Sequence, residues 1–171
     1  MSTEMQVVPV RSRATVTSDD VKEALDICEA NLKEKATLLV KGFKDEQKRL
    51  GEGRPKEEWT NLGCRLVNRK TSVYIEWYVQ FWGKANSQGS KVFSRYLKKE
   101  KNSHKYNLNV LKKHAADWEH QLIEDYEDMF SQIRKYNANL IKARQHAQGI
   151  SVAELKIEEF LRKETDADDQ E

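Results

Sequence analysis

Apolar residues along the chain keep two different periods. Val21, Leu25, Cys28, Leu32, Ala36, Leu39 and Phe43 are spaced by threes and fours, which places them on one face of a helix. Thr17 or Ser18 supplies its N-cap, and Asp19 and Asp20 put negative charge where the helix dipole favours it. The spacing predicts a helix from about 19 to about 50, ended by the glycines at 51 and 53 ahead of Pro55. Between Ser72 and Trp82 the period becomes two. Val73, Ile75, Trp77, Val79 and Phe81 alternate with Ser72, Tyr74, Glu76, Tyr78 and Gln80. That pattern predicts a strand with one buried face and one amphipathic face. Leu62 to Val67 reads as a preceding strand, with Asn68, Arg69 and Lys70 as the hairpin turn. A small polar loop from 85 to 90 leads to a third strand from Lys91 to Leu97, and residues 98–105 read as a basic loop.

Helix resumes between Asn107 and Asp117. Leu122, Tyr126, Met129, Ile133, Tyr136, Leu140 and Ala143 then repeat at alternating steps of four and three, a heptad seam. Gly149 reads as its end, and Ser151 with Glu154 as a capping box that opens a last short helix through Leu161. The expected fold is α+β: two long helices with a small three-stranded antiparallel meander between them, and a short C-terminal helix. Residues 1–17 are expected as a flexible arm, 18–163 as a single domain and 164–171 as a disordered acidic tail. The two long helices can pack antiparallel, with the sheet at one end or against one face and the strand aromatics at the junction.

Charged residues make up 34% of the 171 positions and apolar ones 38%, which points to a modest core built around four Trp, six Tyr and five Phe. No apolar run approaches the ~20 residues of a membrane helix, and no signal-peptide pattern opens the sequence. Cys28 and Cys64 form no disulfide framework, so a reducing cytoplasm is the expected setting.

The net charge of +2 hides a strong polarity. Residues 54–113 carry 14 Lys/Arg against 4 Asp/Glu, whereas residues 114–171 carry 7 against 14. A basic middle of this kind is the footprint of a polyanion ligand, with pairing to the acidic C-terminal third as the bland alternative. Candidate phosphate-binding residues are Arg65, Arg69, Lys70, Lys84, Lys91, Arg95, Lys98, Lys99, Lys101, Lys105, Lys112 and Lys113. Tyr74, Tyr78, Trp82, Phe93, Tyr96 and Tyr106 are interleaved with them and offer either core packing or stacking surfaces. Lys112 and Lys113 stand oddly if they open a helix, because the dipole there disfavours cations. Either they face an anion or the helix proper begins near Asp117.

Catalytic constellations are not evident. His114 and His120 are six apart, and no cysteine lies near them to complete a zinc pattern. Glu124 with Asp128, and Glu127 with Ser131, share a helical face opposite the heptad seam, where a solvated acidic surface is expected. No nucleophile elbow or Walker-type loop is present, nor the histidine cluster a relaxase needs. The expectation is a non-enzymatic binding protein without metal or cofactor.

Ser72-Val-Tyr-Ile-Glu-Trp-Tyr78, Tyr106, Ala116-Asp-Trp-Glu119 and the run from Glu127 to Lys135 resemble the MobI-type auxiliary mobilisation proteins of conjugative elements. The resemblance covers roughly residues 60–145, with Ile75, Trp77, Tyr78, Trp118, Phe130, Ile133 and Arg134 as matching positions. It implies a cytoplasmic protein that binds double-stranded DNA at the origin of transfer and helps the relaxase assemble and nick. Arg65, Arg69 and Arg95 are chemically the best base readers. The rival readings are an RNA-binding accessory protein, or an interaction module whose basic patch meets an acidic partner. Self-association through the seam between 118 and 147 is a further expectation.

Overall fold

Thr17 and Asp20 close a reciprocal capping box: the Thr17 N–H donates to Asp20 Oδ2 at 2.7 Å, and the Asp20 N–H donates to Thr17 Oγ1 at 3.2 Å. They start α1, Ser18–Gly51, whose last turn carries Lys48 and Arg49 against the negative end of the dipole. Gly53, at φ +80°, turns the chain out of it. The computed structural model describes residues 17–69, 72–84 and 90–168; the arm expected over 1–17 lies outside these but for Thr17.

After a 3₁₀ turn at Lys56–Glu58 come β1 (Leu62–Arg69), β2 (Ser72–Lys84) and β3 (Ser90–Tyr96), an antiparallel meander in the order β1-β2-β3. Leu66 faces Ile75 and Tyr78 faces Tyr96 in register. A short α2 (Leu108–Lys112) and a 3₁₀ turn at Asp117–Glu119 lead into α3, His120–Asp168. The helices run antiparallel: Arg144 of α3 pairs with Asp26 and Glu29 near the start of α1, while Gln47, near the end of α1, donates to Glu119. Both helices lie against one face of the sheet. Phe43, Trp77 and Phe130 meet there, with Phe43 edge-on to Trp77 at 5.0 Å and Trp77 5.6 Å from Phe130.

α3 carries two stripes. Leu122, Ile133 and Leu140 of the heptad seam are buried, and α1 is the helix they have to pack against. A second stripe, Ile123, Glu127, Phe130, Arg134 and Asn137, is buried as well. It faces the sheet: the Val73 N–H donates to Asn137 Oδ1 at 3.1 Å, and Trp77 Nε1 donates to Glu127. Part of the seam from 118 to 147 therefore works inside the chain, while Met129 and Tyr136 of the same seam stay exposed.

Two expectations about the C-terminal end change. α3 does not stop at Gly149, and no separate short helix opens at Ser151; one helix of 49 residues continues to Asp168. A lone glycine costs a helix about 1 kcal/mol, less than nucleating a new one, and strong helix formers stand before it (Ala147, Gln148) and resume at Ala153, Glu154 and Leu155. Residues 164–168, expected within a disordered tail, are helical backbone, and 169–171 lie outside the described residues.

Candidate nucleic-acid interface

Side chains alternate across the sheet, so the register divides the basic residues between two faces. Arg65 and Arg69 of β1 share the face turned away from the helices with Tyr74, Glu76 and Tyr78 of β2. Their guanidinium carbons stand 5.7 Å from the Tyr78 ring centre and 5.4 Å from that of Tyr74. Both arginines also pair with Glu76, at 3.1 Å and 3.4 Å. One carboxylate thus compensates part of two charges, and the rings brace what remains. Tyr78 lies over Gly63, where any Cβ would come within 2.7 Å of its ring. Arg95 opposes Val79, so it falls on the other face, exposed, and the three arginines do not form one reading surface.

The lysines sort by partner. Lys105 pairs with Asp128 and Lys112 with Glu124, both on α3. Lys99 is turned inward on its own loop and donates to the carbonyl of Ser103, near Asn102 at φ 65°. Lys98, Lys101 and Lys113 are exposed and make no ion pair among the described residues, as is true of Arg95. Lys112 closes the last turn of α2, and Lys113 is its C-cap. They stand at the cation-favouring end of a helix, so the puzzle of cations at an N-terminus disappears: the long helix begins at 117–120. Lys84 and Lys91 are placed by strand register alone, and Lys70 lies outside the described residues.

The landmark residues form a buried polar network. Glu127, wholly buried, accepts from Trp77 Nε1 at 2.6 Å, from the Tyr106 N–H at 2.7 Å and from the Arg134 guanidinium. Arg134 also donates to the carbonyls of His104 (2.6 Å) and Ile75 (3.1 Å) and lies over the Tyr106 ring. These bonds tie the end of the basic loop to the sheet and to α3. Burial raises the Tyr106 hydroxyl well above its ordinary range, and a hydrogen bond with Tyr96 adds to the shift. Glu119 is buried too, accepting from Gln47 Nε2 at 2.8 Å and from the Ala116 N–H at 3.0 Å. The acidic face expected to be solvated is therefore partly interior. The signal was the second four–three repeat on α3, in which Glu127, Arg134 and Asn137 alternate with Ile123 and Phe130.

Among the described residues, no group of three or more His, Cys, Asp or Glu could hold a metal ion, and no helix is long and apolar enough to cross a membrane. A cleft lined by Lys22, Leu25, Ile141, Arg144, Gln148 and Val152 opens between α1 and α3. Its arginine is already held by Asp26 and Glu29 at 2.6 Å.

An α+β protein with two long helices emerges, with a polar network in its interior and cations that lack an ion pair among the described residues around its sheet and basic loop. The chain belongs to the MobI protein family, whose model it matches over residues 32–148. The match reaches back into α1, further than the landmarks in the strands and α3 extend. No curated protein and no solved structure matches.

Proposed function

We propose that this protein is a non-catalytic DNA-binding accessory factor of conjugative transfer, acting in the cytoplasm, which binds the origin of transfer and assists the relaxase. Family membership supports a mobilisation role. The observation that carries the DNA reading is the distribution of charge after pairing. Acids of α3 take up Lys105, Lys112 and Arg134, whereas Arg95, Lys98, Lys101 and Lys113 keep no carboxylate partner among the described residues. Such cations contribute little to folding but release counterions when they meet phosphates. A second reading, protein binding, is favoured by Ile150, Leu155, Ile157 and Phe160, all exposed on α3 beyond Gly149.

Gel shifts with an origin duplex, a random duplex and an RNA duplex of equal length decide between them. The DNA reading expects both DNA duplexes to bind, the origin duplex most tightly. Retention of none of the three would leave the protein-binding reading, and retention of the RNA alone would point to an RNA ligand instead.

A further inference from the structure

β2 outruns its neighbours. β1 pairs with it from Ser72 to Val79, and β3 pairs from Tyr78 to Lys84. Past Val79 only the Asn61 carbonyl, just before β1, still reaches β2, accepting from the Gln80 N–H at 2.8 Å, and the sheet becomes a two-stranded ribbon, Gln80–Lys84 against Ser90–Ser94. Five residues at about 3.3 Å each give it a reach of roughly 16 Å. The helices do not follow it. Val73 meets α3 at Asn137 and Trp77 meets it at Glu127, so β2 runs toward the start of α3. A further four residues of strand, matched by about nine of helix, bring Phe81 to the level where α3 begins. That is why Phe81 and its cross-strand partner Phe93, inward positions by alternation, are 46% and 38% exposed. Phe81 and Phe93 stack across the ribbon at 5.7 Å and 18°, which stiffens it.

Its charge has one sign. From Trp77 to Lys99 there is no Asp or Glu, while Lys84, Lys91, Arg95, Lys98 and Lys99 are cationic. On the face turned away from the helices, Gln80 stands opposite Ser94, with Val92 beyond. All three are exposed, and neither polar side chain has a hydrogen-bond partner among the described residues.

We propose that this ribbon enters the major groove of duplex DNA with that face toward the bases. Gln80 and Ser94 hydrogen-bond base edges, Val92 contacts a thymine methyl, and cations of the acid-free stretch meet the flanking phosphates. A major groove about 12 Å wide admits a two-stranded ribbon without deformation, whereas the minor groove of about 6 Å would first have to be widened. The deep, narrow major groove of duplex RNA excludes it. The inference rests on the DNA-binding reading above and gives it a groove and a reading face.

Dimethyl sulfate tests it on the full chain bound to an origin duplex, because the reagent methylates guanine N7 in the major groove and adenine N3 in the minor groove. Protection of N7 is expected, with adenine N3 open. The variant Gln80→Ala/Val92→Ala/Ser94→Ala should lose that protection, and its preference for origin over random duplex should fall about tenfold. Its melting temperature and salt dependence should not move, since the three side chains are exposed and uncharged. Ser94→Glu, a single change on the same face, should abolish N7 protection by repulsion. Binding with N7 fully reactive, protection confined to adenine N3, or a triple variant with unchanged preference would overturn the ribbon while leaving DNA binding intact. A wild-type chain that binds no duplex would sink the DNA-binding reading itself, and the ribbon's role with it.

Discussion

Trp77 carries more of the fold than its neighbour Tyr78, although both are large aromatics on one strand. Its ring is wholly buried between Phe43 and Phe130, and its Nε1 donates to a carboxylate that water cannot reach. Trp77→Ala should therefore cost about 3–5 kcal/mol from the cavity, and more from the donor removed from Glu127. Tyr78→Ala should cost distinctly less, because that ring lies half-buried over Gly63 on the outer face. Urea denaturation of both variants checks the difference; equal losses would mean that the strand phase is wrong. Cys64, buried on the same inner face, has its thiol pushed up to about 12 by burial. A raised pKa favours the neutral form in the folded state, so its contribution to stability holds below about pH 9 and is lost as pH rises toward 12. At pH 8 a thiol reagent should label Cys28, which is half-buried, while Cys64 reacts only on unfolding. Rapid labelling of Cys64 in the native protein would contradict its place in the core.

Gly149 is the element-scale case in which local signals and the folded chain disagree. A glycine followed by Ser151 and Glu154 is a sound stop-and-restart pattern, yet α3 passes straight through. A Cβ at Gly149 would meet nothing within 4 Å, and the residue does not take a positive φ. Gly149→Ala should accordingly stabilise the protein by about 0.5–1 kcal/mol, read as a rise in melting temperature. Destabilisation would indicate a left-handed helix end and restore the two-helix reading. The α1 face from Leu25 on, a cap at Thr17 or Ser18, the hairpin and the inward phase of β2 through Trp77 were legible, because in each the local pattern and the tertiary burial agree. The hairpin turn was not, since Asn68 and Arg69, expected there, pair with Val73 and Ser72 as the end of β1. The phase fails at Phe81, since alternation says which way a side chain points but not whether anything lies beneath it. It fails on α3 for a related reason. An apolar seam announces one buried stripe, and the second, interrupted by Glu127, Arg134 and Asn137, looks like surface until its polar groups find one another.

At the scale of the whole molecule, charge polarity was legible from the sequence but charge pairing was not. Twelve basic residues were candidates for phosphate binding. Whether each is free depends on acids 7 to 23 positions away, such as Glu76 for Arg69 and Arg65, Glu124 for Lys112 and Asp128 for Lys105, which only folding brings near. The pairing sorts the lysines into two groups that a salt titration can separate. Lys98, Lys101 and Lys113 have no carboxylate to leave among the described residues, so each phosphate they neutralise should release counterions. Lys98→Ala/Lys101→Ala/Lys113→Ala should weaken duplex binding at low salt. It should also reduce the slope of log K against log salt by up to about 0.9 for each phosphate no longer neutralised. Lys105→Ala/Lys112→Ala removes two lysines that are already compensated within the chain, so the slope should change much less. The ion pairs it breaks are partly or largely exposed, and their loss should shift stability by no more than about 1 kcal/mol each. Fluorescence anisotropy across a range of salt, on variants of matched melting temperature, measures both slopes. If the paired lysines set the slope and the unpaired ones do not, the DNA-binding surface lies along α3, and the ion pairs to Asp128 and Glu124 open when DNA binds.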